Sequence, residues 1–154
     1  MKVKVRRANE SELHIIQELN HELFESDGKR DKYLNHNWPY EDGEKYFVKR
    51  ISKPDCICLV AEVDNQVVGY LAGALMETDN WRPVKRTELE NMFVKEKFRG
   101  KGVGKKLVEE FLKWSEGKKV KKVMVSAYTT NEKAIKFYKR EGLIPQSLSL
   151  EIEF

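Results

Sequence analysis

The chain has 154 residues, 40% of them hydrophobic and 35% charged, and 29 basic against 25 acidic side chains give a net charge of +4. That length suits one domain spanning residues 1–154, with apolar material for one core. No stretch reaches the ~18 apolar residues of a membrane span, the first residues carry no apolar signal segment, and the charge balance demands no nucleic acid, so a soluble, cytoplasmic protein without membrane or nucleic-acid partners is expected.

Val3 to Arg7 reads as a first strand. Asn9 followed by Glu12 is a capping-box pattern, and Leu13, Ile16, Leu19 and Leu23 then form one apolar face, predicting a helix over about 10–25. Ser26 to Glu41 is polar and aromatic without a period and reads as a long loop. Asp42 caps a short second helix carrying Tyr46, Phe47 and Ile51. Cys56 to Val63 reads as a buried strand. Its two cysteines, Cys56 and Cys58, share one face and are too few for a metal site, so no metal is expected. Asp64-Asn65 tolerates positive φ and predicts a tight hairpin into Val67–Met76.

Leu89 to Val94 reads as a short strand followed at once by a glycine-rich turn. Val103, Leu107, Phe111 and Trp114 line one face of the next helix. Lys118 to Lys122 is a basic run between helix and strand patterns, read as a solvated turn. Val120 to Ala127 is a further strand. Asn131 opens a helix with Ala134, Phe137 and Tyr138 inward, and Gly142 closes it. Leu148, Leu150, Ile152 and Phe154 alternate, predicting a final strand that either completes the monomer's sheet or pairs across a homodimer. The order β-α-α-β-β-β-α-β-α-β describes an α/β domain with a mixed sheet.

The chemistry concentrates at Arg99-Gly100-Lys101-Gly102-Val103-Gly104-Lys105. Glycines at alternate positions let backbone N–H groups converge. They precede a helix N-terminus, whose free N–H groups and dipole favour a pyrophosphate. A Walker loop would need glycine at Arg99 and Ser or Thr at Lys106. A dinucleotide fingerprint would need Gly or Ala at Lys105, and a strand–helix unit near the chain start.

The stretch from Leu89 to Leu107, with Arg99, Gly102 and Gly104 in the Arg/Gln-x-x-Gly-x-Gly/Ala pattern, resembles the core motif of the GNAT superfamily of acetyl-CoA-dependent N-acetyltransferases. A second motif, from Asn131 through Ala134, Phe137 and Tyr138 to Gly142, follows at the family's spacing. The resemblance implies a mixed, mostly antiparallel sheet whose parallel central strands splay apart, with helices on both faces. It also implies acetyl-CoA as cosubstrate and transfer of its acetyl group to a primary amine in a ternary complex.

By that resemblance, Met92, Phe93 and Val94 contact the pantetheine arm through backbone groups. The Val94 or Phe93 N–H polarises the thioester carbonyl. Arg99 and the segment Gly100, Lys101, Gly102, Val103, Gly104 and Lys105 hold the pyrophosphate. Asn131 bonds the arm from the far side, and also reads as a helix cap. Ala134 faces the cofactor one turn before Tyr138, which resembles the general acid. Glu90, whose alternation with Met92 and Val94 puts it on their face, is the candidate base, with Glu88 as the alternative. Acceptor choice falls to residues 26–41 and 77–88, whose aromatic and acidic side chains suit a small amine, an aminoglycoside or a peptide amine. A non-catalytic acyl-CoA-binding module of the same fold is the competing expectation.

Overall fold

The computed structural model describes residues 1–154. Five strands, β1 (Val3–Arg7), β2 (Cys56–Val63), β3 (Gln66–Leu75), β4 (Arg86–Val94) and β5 (Lys122–Val125), form one sheet in the order β1-β2-β3-β4-β5. The first four pair antiparallel, and β4–β5 is parallel. Four helices, α1 (Leu13–Asp27), α2 (Asp42–Ser52), α3 (Val103–Gly117) and α4 (Glu132–Arg140), cover it. None is long and apolar enough to cross a membrane.

Local chemistry explains the element ends. The Asn9 N–H donates to the Glu12 carboxylate at 3.0 Å ahead of α1, after a short 3₁₀ turn at Glu10–Glu12. Asp64 and Asn65 take φ of 50° and 63°, matching the twist of the β2–β3 hairpin they close. Past α4, Gly142 at φ 96° lets the Leu143 N–H reach the Tyr138 carbonyl at 3.0 Å and its own N–H reach that of Lys139 at 3.1 Å. This double bond satisfies carbonyls the helix leaves open.

Each sheet face carries its own core. Ile16 and Leu19 of α1 and Phe47 of α2 pack with Cys58, Val60, Tyr70, Ala72 and Phe93 on one side. Val103, Leu107, Val108 and Phe111 of α3 pack with Leu59, Leu71, Leu89 and Val94 on the other, and Phe137 and Tyr138 of α4 join that layer.

Two expectations need correction. Residues 143–154 form no strand, and Leu148, Leu150, Ile152 and Phe154 are all exposed. Alternation describes the two faces of a strand, but a strand needs a neighbouring edge, and this segment takes none. It is tied down by Glu153 instead, which accepts from the Tyr33 hydroxyl and pairs with Lys32 Nζ at 2.9 Å. The parallel pair therefore ends the sheet. The second correction concerns β5, which is shorter than the expected 120–127, because β4 stops pairing with it at Leu89–Val125.

Candidate active site

The strand β4 carries one residue more than β3 can match. Ala72 pairs with Asn91 and Gly73 with Leu89, which leaves Glu90 as a bulge. At the same point the β5 partner ends, so from Glu90 onward β4 has a neighbour on one side only. The Lys95 N–H donates to the Val68 carbonyl at 2.9 Å. Alternation then turns the backbone groups of Phe93 toward Tyr70 as well, and those of Met92 and Val94 toward the open side. Between the Phe93 and Val94 amides, Val94's faces the opening. Its carbonyl already accepts from Arg99 Nε at 2.7 Å, while the Arg99 guanidinium stacks over Phe93 at 4.9 Å.

The turn after β4 is longer than expected, with a 3₁₀ segment at Glu96–Phe98 before the glycines. Gly100 and Gly102 take φ of 71° and 84°, and a Cβ added at either would meet no protein atom within 4 Å. These two residues line open space. Gly104 lies in the first turn of α3, where a Cβ would come within 3.3 Å of Phe137 Cζ, so its lack of a side chain also admits α4. The first hydrogen bond of α3 runs from the Lys106 N–H to the Gly102 carbonyl at 3.1 Å. The amides of Val103, Gly104 and Lys105 precede it and have no helical acceptor. Lys101 and Lys105 flank this end of the helix.

Asn131 caps α4 by accepting from the Ala134 N–H at 3.2 Å. Ala134 thus lies in the first turn, and Tyr138 one turn further along. The Tyr138 ring packs edge-on against Phe137 with centroids 5.1 Å apart. Burial, and then the charge of Asp27 at the end of α1, push its phenol up to about 12. The phenol is therefore protonated at neutral pH, with a proton to give.

The bulge overturns the expected facing of Glu90. Thr87, bonded at 2.7 Å to Ser115 of α3, and Leu89 both face α3, as do Met92 and Val94 beyond the bulge. Glu90 and Asn91 instead share the α1–α2 face, because the inserted residue breaks the period of two. There Glu90 accepts from Arg50 Nε at 2.5 Å, Arg50 Nη2 at 2.9 Å and the Tyr46 hydroxyl at 2.8 Å. A chain of bonds leads inward. Asn91 Nδ2 donates to Tyr46 Oη at 2.8 Å, the Tyr70 hydroxyl to Asn91 Oδ1 at 2.6 Å, and Asn20 Nδ2 to Tyr70 Oη at 2.8 Å. The Arg50 guanidinium also lies over the Tyr46 ring at 4.2 Å. Glu88, on the same face and half-buried, accepts no hydrogen bond. Burial first, and Glu90 second, raise its carboxyl above the usual range.

Sequence reasoning missed Arg50, Tyr46 and Asn91. The available signal was Tyr46 and Arg50 four residues apart on one helix, a spacing that puts both on one face.

Comparison with known proteins identifies the family and the fold. The model of the acetyltransferase (GNAT) family matches residues 14–143. An uncharacterized N-acetyltransferase of Archaeoglobus fulgidus is 32% identical over 106 residues, covering 66% of this chain and 69% of that protein. Among solved structures, a point mutant of the BH1408 protein of Bacillus halodurans superposes with a TM-score of 0.88 at 21% identity, over 98% of this chain and 99% of that one. The aminoglycoside N-acetyltransferase AAC(6')-Iy in complex with CoA gives a TM-score of 0.74 at 18% identity, over 98% of each chain.

Proposed function

The chain belongs to the acetyltransferase (GNAT) family, and from that membership we propose that it moves an acetyl group from acetyl-CoA to a primary amine by direct attack in a ternary complex. The observation that carries this reading is the opening beyond Glu90, where β4 loses its parallel partner. Tyr138, protonated at neutral pH, packs into the α3-side layer, and Glu88 and Glu90 lie on the α1–α2 face of β4.

The residues present fit acetyl-CoA. Gly100 and Gly102 line open space, and the free amides at the start of α3 suit a pyrophosphate. Lys101 and Lys105 add charge there, and the Val103 and Gly104 amides complete the donor set. The open-side backbone of Met92 and Val94 suits the amides of a pantetheine arm, as an added strand would. Phe93 fixes β4 by its buried ring, and Arg99 holds the Val94 carbonyl. Asn131 and Ala134 border the arm from α4. Acetyl-CoA supplies the activated acyl group. The Val94 N–H is the donor for the thioester oxygen, and Tyr138 gives the leaving sulfur its proton.

An ammonium acceptor with a pKa near about 10 must lose a proton before it attacks. In this reading a β4 carboxylate, Glu90 or Glu88, takes that proton directly or through water. The aminoglycoside N-acetyltransferases among the structural neighbours support an amine-bearing acceptor. The Asp27 and Asp31 carboxylates beside Tyr128, whose hydroxyl donates to Asp31 at 3.1 Å, offer charge for it. The free cysteines Cys56 and Cys58 suit a reducing, cytoplasmic setting. From the exposed apolar side chains of residues 148–154 and the unpaired outer edge of β5 we propose that two copies join as a homodimer. Light scattering checks that, and a monomer at working concentration removes it.

The test of the activity is a thiol-release assay with acetyl-CoA against polyamines, aminoglycosides and peptides of varied N-terminus. CoA release that depends on one amine class is the expected result. Acetyl-CoA binding without release across the panel overturns the transferase reading.

A further inference from the structure

Arg86 begins β4 with a charge that no hydrogen bond in the fold answers. Its side chain is only 10% exposed, and its Nε–H is buried without an acceptor. The nearest carboxylate, that of Asp79, stands 3.8 Å from Nη2, beyond hydrogen-bond reach. A guanidinium offers five N–H donors in a planar fork. Burying such a group unmatched is costly, and buried polar groups are as a rule paired.

The register places this cation. Thr87 bonds Ser115 of α3 and Leu89 packs in the α3-side core, so alternation turns Arg86 to the other face, with Glu88. Its partner on β5 is Lys122. Val123 and Val125 pack against the α3-side core, so Lys122 shares the face of Arg86. Lys122 is exposed. Two cations thus stand directly opposite each other on adjacent strands, a pairing that repels unless an anion joins them. Further along the same face come Glu88 and then Glu90, where the opening begins.

What approaches Arg86 from outside is the β3–β4 connection. The Met76 N–H donates to the Arg86 carbonyl at 2.8 Å, and Asp79 approaches the guanidinium with its own side chain 48% exposed. Asp79 also forms an isolated bridge with Arg82. A ligand anion that reaches the guanidinium therefore replaces a half-exposed carboxylate and no core side chain.

We propose that Arg86 and Lys122 form a subsite for a carboxylate of the acceptor, and that the acceptor is a peptide carrying an acidic group about four residues from the amine that is acetylated. This deepens the transferase reading above and rests on it. Four strand positions separate Arg86 from Glu90, roughly 13 Å at about 3.3 Å each. A free amino acid is too short for that span, whereas an extended peptide covers it in about four residues. The Arg86 fork matches both oxygens of a carboxylate, and Lys122 adds a point charge beside it. A polyamine or an aminoglycoside brings only cations, which this end of the face repels. Arg86 lies far from the bond that changes, so it sets specificity, and its contribution falls on KM and not on kcat.

The experiment compares two pentapeptide amides with free N-terminal amines, one with glutamate in the fourth position and one with glutamine. They are tested as acceptors by thiol release and as ligands by calorimetric titration of the protein saturated with CoA. Wild type should favour the glutamate peptide by about 10- to 100-fold in kcat/KM and in Kd, with the difference in KM. Arg86→Gln should erase the preference, and Lys122→Ala should reduce it severalfold. Asp79→Asn should enlarge it, because the competing carboxylate is gone; an Arg86–Asp79 pair of purely structural value would change both peptides alike. Equal treatment of the two peptides by wild type overturns the subsite, as does a preference that survives Arg86→Gln. Should Arg86→Gln fail to fold, a preference unmoved in both Lys122→Ala and Asp79→Asn overturns it. A polyamine or an aminoglycoside turned over faster than the glutamate peptide overturns this inference and leaves the transferase reading standing. Absence of CoA release with every amine overturns the transferase reading, and an Arg86-dependent preference in the titration then still supports the subsite.

Discussion

Replacing Gly102 by alanine separates what the loop does for the fold from what it does for a ligand. Gly102 sits at φ 84°, and the added Cβ would meet nothing within 4 Å. The protein therefore feels no clash, only an L-residue in the left-handed region, at a cost of about 1–2 kcal/mol. For a domain of this size that lowers Tm by about 2–8 °C. The ligand feels something else, because the space the methyl enters is the space a pyrophosphate would use against the free amides of α3. Losing one charge-assisted hydrogen bond there costs about 1.5–3 kcal/mol, so the acetyl-CoA Kd should rise about 10- to 100-fold. Gly117→Ala is the control. That residue ends α3 in ordinary φ with nothing within 4 Å of a Cβ, and its replacement should raise Tm by about 1–4 °C with Kd unchanged. Calorimetric titration and thermal melts of both variants read the two effects separately. A Gly102→Ala protein that melts early yet binds acetyl-CoA like wild type would refute the assignment of this loop as the cradle.

Tyr138→Phe should lower kcat by about 10²-fold and leave the KM for acetyl-CoA nearly unchanged; since the phenol is pushed up to about 12, the loss should be constant between pH 6 and 10, and a loss that shrinks with rising pH would show the phenol titrating there. Gly73→Ala puts a methyl 2.5 Å from Phe111 Cε2 and 2.7 Å from the Glu88 carbonyl oxygen, so denaturant unfolding should report a destabilisation of about 1–3 kcal/mol. Glu12 is held below its ordinary range by hydrogen bonds from Arg6 and then from the Asn9 N–H. Its contribution is therefore present above the ordinary carboxylate pKa and lost as pH falls through the lowered value. Glu12→Gln should cost about 0.5–2 kcal/mol at pH 7, and thermal melts should converge with wild type in strong acid. Arg50→Met leaves the partly buried Glu90 without its cation and should lower Tm by several degrees, with near-ultraviolet circular dichroism reporting the freed Tyr46.

What could be read in advance was whatever depends on neighbours in the chain. The Asn9–Glu12 cap, the Asp64-Asn65 hairpin, the closure at Gly142 and the positive-φ turn at Gly100–Gly102 are local chemistry, and local chemistry is written in order. The bulge at Glu90 is not. Glu88, Glu90, Met92 and Val94 spell an unbroken alternation, and only the register against Ala72 and Gly73 on β3 breaks it. The same holds for residues 148–154, whose alternation is genuine but whose pairing edge belongs to another part of the molecule. Arg50 and Glu90 lie forty residues apart, and nothing in the spacing of either announces the other.

The separation of the two cores by the sheet has a consequence for how such a protein can change. Residues 13–52 build the layer on one face of the sheet, and residues 103–140 build the layer on the other. Their side chains communicate chiefly through the short gap where β4 runs on without β5. If the proposed function holds, a substitution that reshapes the first layer around Trp38 or Tyr46 should leave the glycine turn and Tyr138 in place, so acceptor preference should change by single mutations while the acetyl-CoA Kd stays the same, which calorimetric titration checks.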